Sequence, residues 1–444
     1  MEQSKYVTYD QFQAVVERFV TGRREEPVLF LENQQMQHNE GNREEISLLA
    51  VGAKIELSTR DEEVSIRSDR GEEVTRGDPW DALFRIRREY PGWYVGWLGY
   101  DLKNSIEDLK SANEDPVGAP DLWFVQPRLL LRYGHQSGLL TAIYGDLPSE
   151  EWLLAEPNRS CESECQVGPL EADLDRETYR DHILRIQEGI REGEYYEVNL
   201  SHILRARFNG EPWALYRKMR EAGPVPFAAW IDTGELAICC ASPERFLKKS
   251  GRLVFSQPIK GTAPRSSDPV RDRKLKEELE NSEKERAENL MIVDLVRHDL
   301  SRTAIPGSVR VSKLFDIQSY ATVHQLVSTV EAEVSEGRSA EEVLKCCFPP
   351  GSMTGAPKIR VMKEIEEVET YRRGVYSGAI GYLTPEDDFD FNVVIRTAII
   401  SGEELSYPVG GAITSDSDPD AEWEETWVKA RALSQTGSGE KRES

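Results

Sequence analysis

Two pairs of glutamates carry the first chemical signal in this chain. Glu285 and Glu288 are three residues apart in Glu285-Arg-Ala-Glu288-Asn-Leu-Met-Ile-Val, and Glu422 and Glu425 repeat the spacing in Glu422-Trp-Glu-Glu425-Thr-Trp-Val-Lys429. On a helix such a pair shares one face. Four hard oxygen ligands converging on a point suit Mg²⁺, which keeps several waters and bridges to an anionic substrate. Asp418 can cap the second helix and Pro419 fits its first position. Lys429 lies seven residues after Glu422, on the same face, where it can meet the substrate anion. The run Leu290-Met-Ile-Val-Asp-Leu-Val reads as apolar all round, so the first helix is expected to be buried. Carboxylates beside a buried segment need partners.

Three further segments hold groups that do chemistry. In Ser242-Pro-Glu244-Arg-Phe, Glu244 follows the strand-like run 236–241, and Lys260 sits in a second run, Ser256-Gln-Pro-Ile-Lys260-Gly261-Thr262. A carboxyl and an amine at strand ends can work as acid and nucleophile, and a salt bridge is the other use of such residues. The run Pro349-Pro-Gly-Ser352-Met-Thr-Gly-Ala-Pro357-Lys358 is a Gly-rich turn entering a helix, with Pro357 expected at its first position. Its spacing is not that of a Walker loop, but free N–H groups at a helix start favour an anion. Finally, Tyr376-Ser-Gly, Arg396 on a strand of otherwise apolar residues, and Gly410-Gly411-Ala412 form a third group. Glycines in strands expose backbone N–H groups, and Arg396 needs either a substrate carboxylate or a buried ion pair. His324 is a lone histidine, a type most often satisfied within a core.

The elements that position these groups follow from periodicity. Val28–Glu32 and 129–131 are apolar runs of strand length, and the Gly- and aromatic-rich run 96–101 also suits a strand. A helix is expected over 179–190, with Ile183, Ile186 and Ile190 on one face. Strands are expected at 198–208, 226–231, 236–241 and 253–257, and near 375–383, 390–400 and 405–413. Helices are expected at about 270–300 and 338–347, from about Pro357, and at 419–433. Strands and helices alternate without regular βαβ spacing, which points to α+β with large antiparallel sheets. The expected organisation is an N-terminal domain over 1–150, a polar linker over 151–172, a catalytic domain over 173–434 and a frayed tail over 435–444.

Composition limits the function classes. The 444 residues carry a formal net charge of -24, which argues against non-specific binding to nucleic acid or anionic lipid. The N-terminus lacks the pattern of a secretory signal and no run is long and apolar enough to span a bilayer. The six cysteines fall as Cys161/Cys165, Cys239/Cys240 and Cys346/Cys347, a spacing that suits reduced thiols in a cytoplasmic protein.

Taken in order, these segments resemble the chorismate-utilising enzymes, a family that includes anthranilate, aminodeoxychorismate, isochorismate and salicylate synthases. The resemblance covers about 175–433 and extends through Gly96–Asp101 and the strand at 28–32. It implies two large antiparallel sheets packed as a sandwich with helices outside. It also implies Mg²⁺ at Glu285, Glu288, Glu422 and Glu425. Substrate contacts would come from Gly261, Thr262, Ser352, Tyr376, Arg396, Gly410, Gly411, Ala412 and Lys429. Glu244 matches the general acid/base, and His324 and Ser352 match positions near the departing C4 hydroxyl and the ring.

The residue at 260 divides the family. Anthranilate synthases resemble Pro-Ile-Ala-Gly-Thr here, whereas one branch of aminodeoxychorismate synthases shows the Pro-Ile-Lys-Gly-Thr of this chain. The resemblance then implies attack of Lys260 on ring C2, loss of the C4 hydroxyl, and displacement of the lysine by ammonia, with the enolpyruvyl group retained. Such chemistry serves para-aminobenzoate and folate synthesis. The lysine must be uncharged to attack, so burial is expected to lower its pKa. Ammonia would come from a separate glutamine amidotransferase subunit. Isochorismate and salicylate synthases carry a lysine where this chain has Glu197, so neither activity is expected; ammonia-using members usually have Gln there, which makes Glu197 a departure. Ala412 in place of Gly is a milder one. Leu31-Glu32-Asn33 lacks the serine of the tryptophan-binding motif of feedback-inhibited anthranilate synthases, so such inhibition is not expected. A non-catalytic binding relative of the same fold is the alternative from another functional class.

Overall fold

A computed structural model describes residues 3–22, 26–34, 45–154, 164–320 and 322–434. The expected tail at 435–444, Cys161 and part of the expected linker lie outside them. Among the described residues every pairing between strands is antiparallel, in keeping with the lack of βαβ spacing. Two long strands, Ile46–Arg60 and Leu122–Gly134, pair with each other and feed two arms of one branched hydrogen-bonded network. One arm runs from Ile46–Arg60 through Val28–Glu32, Phe227–Asp232, Leu236–Ser242, Thr397–Ser401 and Glu404–Ile413 to Glu197–Gly210. The other runs from Leu122–Gly134 through Tyr94–Leu98, Ala379–Leu383, Phe389–Asn392, Arg245–Ser250 and Leu253–Gln257 to Val323–Glu333. The expected pair of sheets is therefore joined through these two long strands.

A core between the arms takes residues from both: Leu29, Ile231 and Ile399 from the first, Val95, Trp97 and Ile380 from the second. Helices cover the outer faces. Tyr9–Thr21 and Pro212–Ala222 pack on one arm, and Pro79–Glu89, Glu283–Ser301 and Ala340–Cys347 on the other. Arg176–Arg191, Lys358–Val368 and Pro419–Lys429 enclose a further cluster around Val198 and Ile413. N-terminal strands are built into both arms, so the expected boundary near 150 is not a break in hydrogen bonding. Within the expected linker, Cys165–Val167 pairs with the end of Glu197–Gly210.

Several expected elements change on folding. The helix expected over 270–300 is two helices, Pro269–Glu280 and Glu283–Ser301, because Asn281 ends one and Ser282 caps the next. The second is not buried all round: Ile292, Val293 and Val296 are buried, but Leu290 is half exposed. Strands Arg245–Ser250, Arg310–Ser319 and Val323–Glu333 were not marked by apolar alternation; Lys248, Lys249, Lys313 and Gln325 interrupt it. Pro357 is the cap of Lys358–Val368, one position before the helix starts.

One buried cation ties the elements around the eventual site. Arg373, 3 % exposed, donates to Glu369 at 2.6 and 2.8 Å, and to the carbonyls of Met353 and Asn199 at 2.7 Å each. Glu369 in turn accepts from the backbone N–H and hydroxyl of Ser201. Arg373→Met leaves Glu369 buried without its cation and two carbonyls without donors. We expect a loss of about 3–5 kcal/mol of stability, read from denaturant midpoints at unchanged slope.

Candidate active site

A cavity of about 470 Å³ opens where the ends of the two arms meet. Each wall has a local cause. Strand Glu404–Ile413 supplies Gly410, Gly411 and Ala412, and the chain then turns through Asp418, whose side chain caps Pro419–Lys429. That helix presents Glu422, Glu425 and Lys429 over the strand. Facing it, Ser282 caps Glu283–Ser301 by accepting from the Glu285 N–H, and the first two turns bring in Lys284, Glu285 and Glu288. Strand Ile259–Pro264 supplies Lys260, Gly261 and Thr262. Glu244 enters from the turn between Leu236–Ser242 and Arg245–Ser250, and Ser352 from the turn Gly351–Met353. Tyr376 and Arg396 complete the wall.

Two glycines show why side chains are absent there. Gly261 has φ +82, and a Cβ on it would stand 2.8 Å from Glu285 Oε2 and 2.9 Å from Leu279 Cδ1. A Cβ on Gly411 would lie 3.3 Å from Glu422 Oε2, 3.6 Å from Lys429 Nζ and 3.8 Å from Glu425 Oε1. The bare backbone at 411 thus borders all three groups.

The four glutamates share this cavity, but among the described residues no three metal-ligating side chains lie close enough to hold an ion as they stand. Their chemistry still fits a hard cation. Glu288 is buried with Oε1 lacking a hydrogen-bond partner, and burial pushes its carboxyl up to about 7. Glu422 is also raised, first by burial and then by Glu425, while Ser417 bonds one oxygen at 2.8 Å. Burial acts on Glu425 in the same direction, but Lys429 outweighs it and the net shift is down. Such a set needs positive charge, which Mg²⁺ with its own waters would supply.

Three expected roles change. Lys429 lines the cavity, yet its ammonium pairs with Glu425 at 2.7 Å and donates to the Gly410 carbonyl at 2.8 Å. It anchors the glutamate side before it meets any substrate. His324 does not line the cavity: Nδ1 bonds the Ser319 hydroxyl at 2.8 Å and Nε2 meets Asp272 at 3.2 Å. Alternation along its strand turns the neighbour Gln325 inward instead. Arg396 is not on a strand; it is a left-handed residue, φ +51, in the break between Phe389–Asn392 and Thr397–Ser401.

Lys260 overturns the expected direction of its pKa. Burial does lower it, but Glu197, then Glu288 and Glu244, more than compensate, and the net shift is up. Its Nζ is 2.8 Å from Glu197 Oε1. Glu244 behaves as an acid should. Burial raises it to about 7, against the opposing pull of the Ser352 hydroxyl and Lys260. Both protonation states are thus populated near neutrality. Asn199, Lys284 and Gln325 also line the cavity and were not singled out from sequence. Lys284 had a visible signal: it stands four residues before Glu288, and the two are 3.9 Å apart.

The arrangement brings a guanidinium and bare backbone together with an amine, a carboxyl raised by burial and two pairs of glutamates. Comparison with known proteins agrees. At 45% identity the chain aligns with aminodeoxychorismate synthase of Streptomyces griseus, over 77% of this chain and 49% of that protein. The chain thus spans about half the length of that relative. It is 36% identical to anthranilate synthase component 1 of Thermus thermophilus, over 88% of this chain and 89% of that one. It is 35% identical to aminodeoxychorismate synthase component 1 of Escherichia coli, over 78% and 76% respectively. Among solved structures, anthranilate synthase component I of Streptococcus pneumoniae superposes with a TM-score of 0.78 at 28% identity, covering 91% of this chain and 95% of that one. Residues 26–435 match the family described as chorismate binding enzyme. The chain belongs to that family.

Proposed function

We propose that the chain is the aminating component of an aminodeoxychorismate synthase, converting chorismate and ammonia to 4-amino-4-deoxychorismate. The observation that carries this reading is Lys260, held in the cavity opposite a protonatable Glu244. Arg396 and the backbone at Gly410–Ala412 receive the substrate carboxylates, and Tyr376 and Thr262 line the same space. Lys260 forms a bond to ring C2, the double bond shifts, and the C4–O bond breaks with a proton from Glu244. Ammonia then adds at C4 and the lysine departs. No water or amine other than Lys260 is needed to start the sequence. A separate glutamine amidotransferase is the proposed ammonia source. No helix among the described residues is long and apolar enough to cross a membrane, and the proposed location is the cytoplasm.

Glu285, Glu288, Glu422 and Glu425 are the proposed holders of Mg²⁺, which would neutralise a substrate carboxylate and the developing charge on the leaving oxygen. Since the Glu288 carboxyl is raised to about 7, the cation must displace a proton below that pH. Apparent Mg²⁺ affinity is expected to rise as pH passes upward through about 7. Calorimetry in buffers of different ionisation heat should show proton release on the acid side. An affinity flat with pH would remove Glu288 from the set.

The assay that tests the whole reading is the product spectrum from chorismate, Mg²⁺ and ammonium. Aminodeoxychorismate without pyruvate is expected. Anthranilate plus pyruvate would install the second reading, which the Thermus relative favours by matching nearly the full length of both chains. Chorismate left unconsumed would point to a binding protein. Glu244 adds a pH signature. An acid donates only while protonated, so kcat/KM at constant free ammonia is expected to fall above about 7. Glu244→Gln should abolish that limb and cost about 10²–10⁴ in rate.

A further inference from the structure

Glu197 has no place in the sequence of steps above, yet it is among the most completely buried ionisable groups next to the site. It is 1 % exposed and does not line the cavity; it stands behind Lys260. Its Oε1 lies 2.8 Å from Lys260 Nζ, and its Oε2 is buried with no hydrogen-bond partner. Its position is fixed by the strand it opens: Glu197 pairs with Ala356, and Val198 pairs on one side with Gly355 and on the other with Ile413. The carboxylate is therefore aimed at one amine by two neighbouring strands.

We propose that Glu197 is the general base that takes the proton from the Lys260 ammonium and so creates the nucleophile. The inference rests on the reading that Lys260 forms the bond to the ring. An ammonium has no lone pair, so one proton must leave before attack. The other charged groups that act on Lys260 are Glu288, Glu244 and, on the opposite helix, Glu425; Glu285 and Lys284 line the same cavity. Glu244 has its own proton to give to the departing oxygen. Among the described residues only Glu197 forms an ion pair with the lysine.

Burial works toward the transfer, against the carboxylates that keep the lysine charged, because the transfer turns two buried charges into an amine and a carboxylic acid, both neutral. Oε1 of Glu197 faces the amine and Oε2 carries no hydrogen bond, so the carboxylate has an oxygen free for the proton. The proton account closes. Glu197 takes H⁺ from Lys260; the amine lone pair forms the N–C2 bond; the C4–O electrons leave with the proton of Glu244 as water. In the second half ammonia adds at C4, the N–C2 bond breaks, and Glu197 returns its proton to the lysine. The incoming ammonium's surplus proton restores Glu244. A glutamine at this position could hold the lysine but could not accept its proton.

The test uses the full chain with Mg²⁺ and chorismate but without ammonium. Appearance of a protein adduct weighing one chorismate less one water is followed by rapid quench and intact mass. In E197Q the adduct is expected to form about 10²-fold more slowly near neutral pH. The deficit should shrink about tenfold per pH unit as rising pH deprotonates the lysine directly. E197D keeps an acceptor and is expected to retain the wild-type pH profile. Wild-type rates in E197Q, or a slowing equal at every pH, would overturn the proposal, the latter meaning that Glu197 serves packing alone. If E197Q does not fold, a rate in E197D that climbs with pH would overturn it as well. Failure of the underlying reading looks different: Lys260→Ala would then make full product, whatever E197Q does.

Discussion

Lys260→Ala is expected to lower aminodeoxychorismate formation on the order of 10³-fold while chorismate binding changes by less than about threefold. The asymmetry follows from what the side chain touches. Lys260 lines the cavity and is paired with Glu197, and in the proposed reading the substrate carboxylates are held instead by Arg396 and the backbone at Gly410–Ala412. Its removal takes away a covalent step rather than a binding contact. It also strands Glu197, whose buried carboxylate loses its cation, so a stability loss of about 3–5 kcal/mol is expected alongside. That loss would confuse an activity assay made on the single variant alone. The double variant Lys260→Met with Glu197→Gln removes both charges together. It should regain most of the lost stability and none of the activity. Recovery of activity with stability would show that the pair serves folding only. Full activity in Lys260→Ala, with anthranilate as the product, would transfer the chain to the other branch of the family.

The glutamate pairs, Lys260, Glu244, Arg396 and the 410–412 backbone were all legible in the sequence, because each is a chemically expensive residue in an apolar or Gly-rich setting. All of them line one cavity. Placement of a residue was easier to read than its state. Lys260 was expected to lose charge on burial, a rule that holds for a lysine buried alone. Glu197 lies 63 positions away in sequence, and no local pattern reveals that it stands 2.8 Å from that lysine. The partner of a buried charge is a tertiary fact.

The misplacements share a second cause. His324 was assigned by its position in a motif, but a one-residue change along a strand exchanges its two faces, and Gln325 faces the cavity in its stead. The strand Val323–Glu333 was itself missed, since polar residues are buried on both of its faces: His324, Gln325 and Ser328 are each at most 2 % exposed. Burial of polar side chains in a site defeats a reading based on apolar alternation. Val28–Glu32, Phe227–Asp232 and Leu236–Ser242 were easier, because apolar runs on these strands fill the core between the arms. Closure of the arms into one network through Ile46–Arg60 and Leu122–Gly134 was not legible, since it depends on register between distant strands.

Arg396→Met should move activity and stability in opposite directions. No carboxylate pairs with this guanidinium among the described residues; the groups that favour its charge are Tyr407 and, farther down in weight, Glu244. Burial outweighs them and its pKa is shifted down. The backbone adds cost, because a non-glycine residue at φ +51 occupies a strained region. A folded protein gains nothing from an unpaired, partly desolvated cation held in such a position, so its return must come on binding. Chorismate brings the missing carboxylate, and loss of one partner from a buried charge pair costs about 2–5 kcal/mol. We therefore expect kcat/KM for chorismate to fall by about 10²–10³, chiefly through KM. In the absence of substrate the variant should be more stable than the wild type by about 0.5–2 kcal/mol, read from its denaturant midpoint. Lys260→Ala is expected to lose both quantities, because its cation already has a partner. The contrast separates the two buried cations of the site: one is satisfied by the protein, the other waits for the substrate. A loss of stability in Arg396→Met would mean that the guanidinium is satisfied from within, and the substrate carboxylate would have to be held elsewhere.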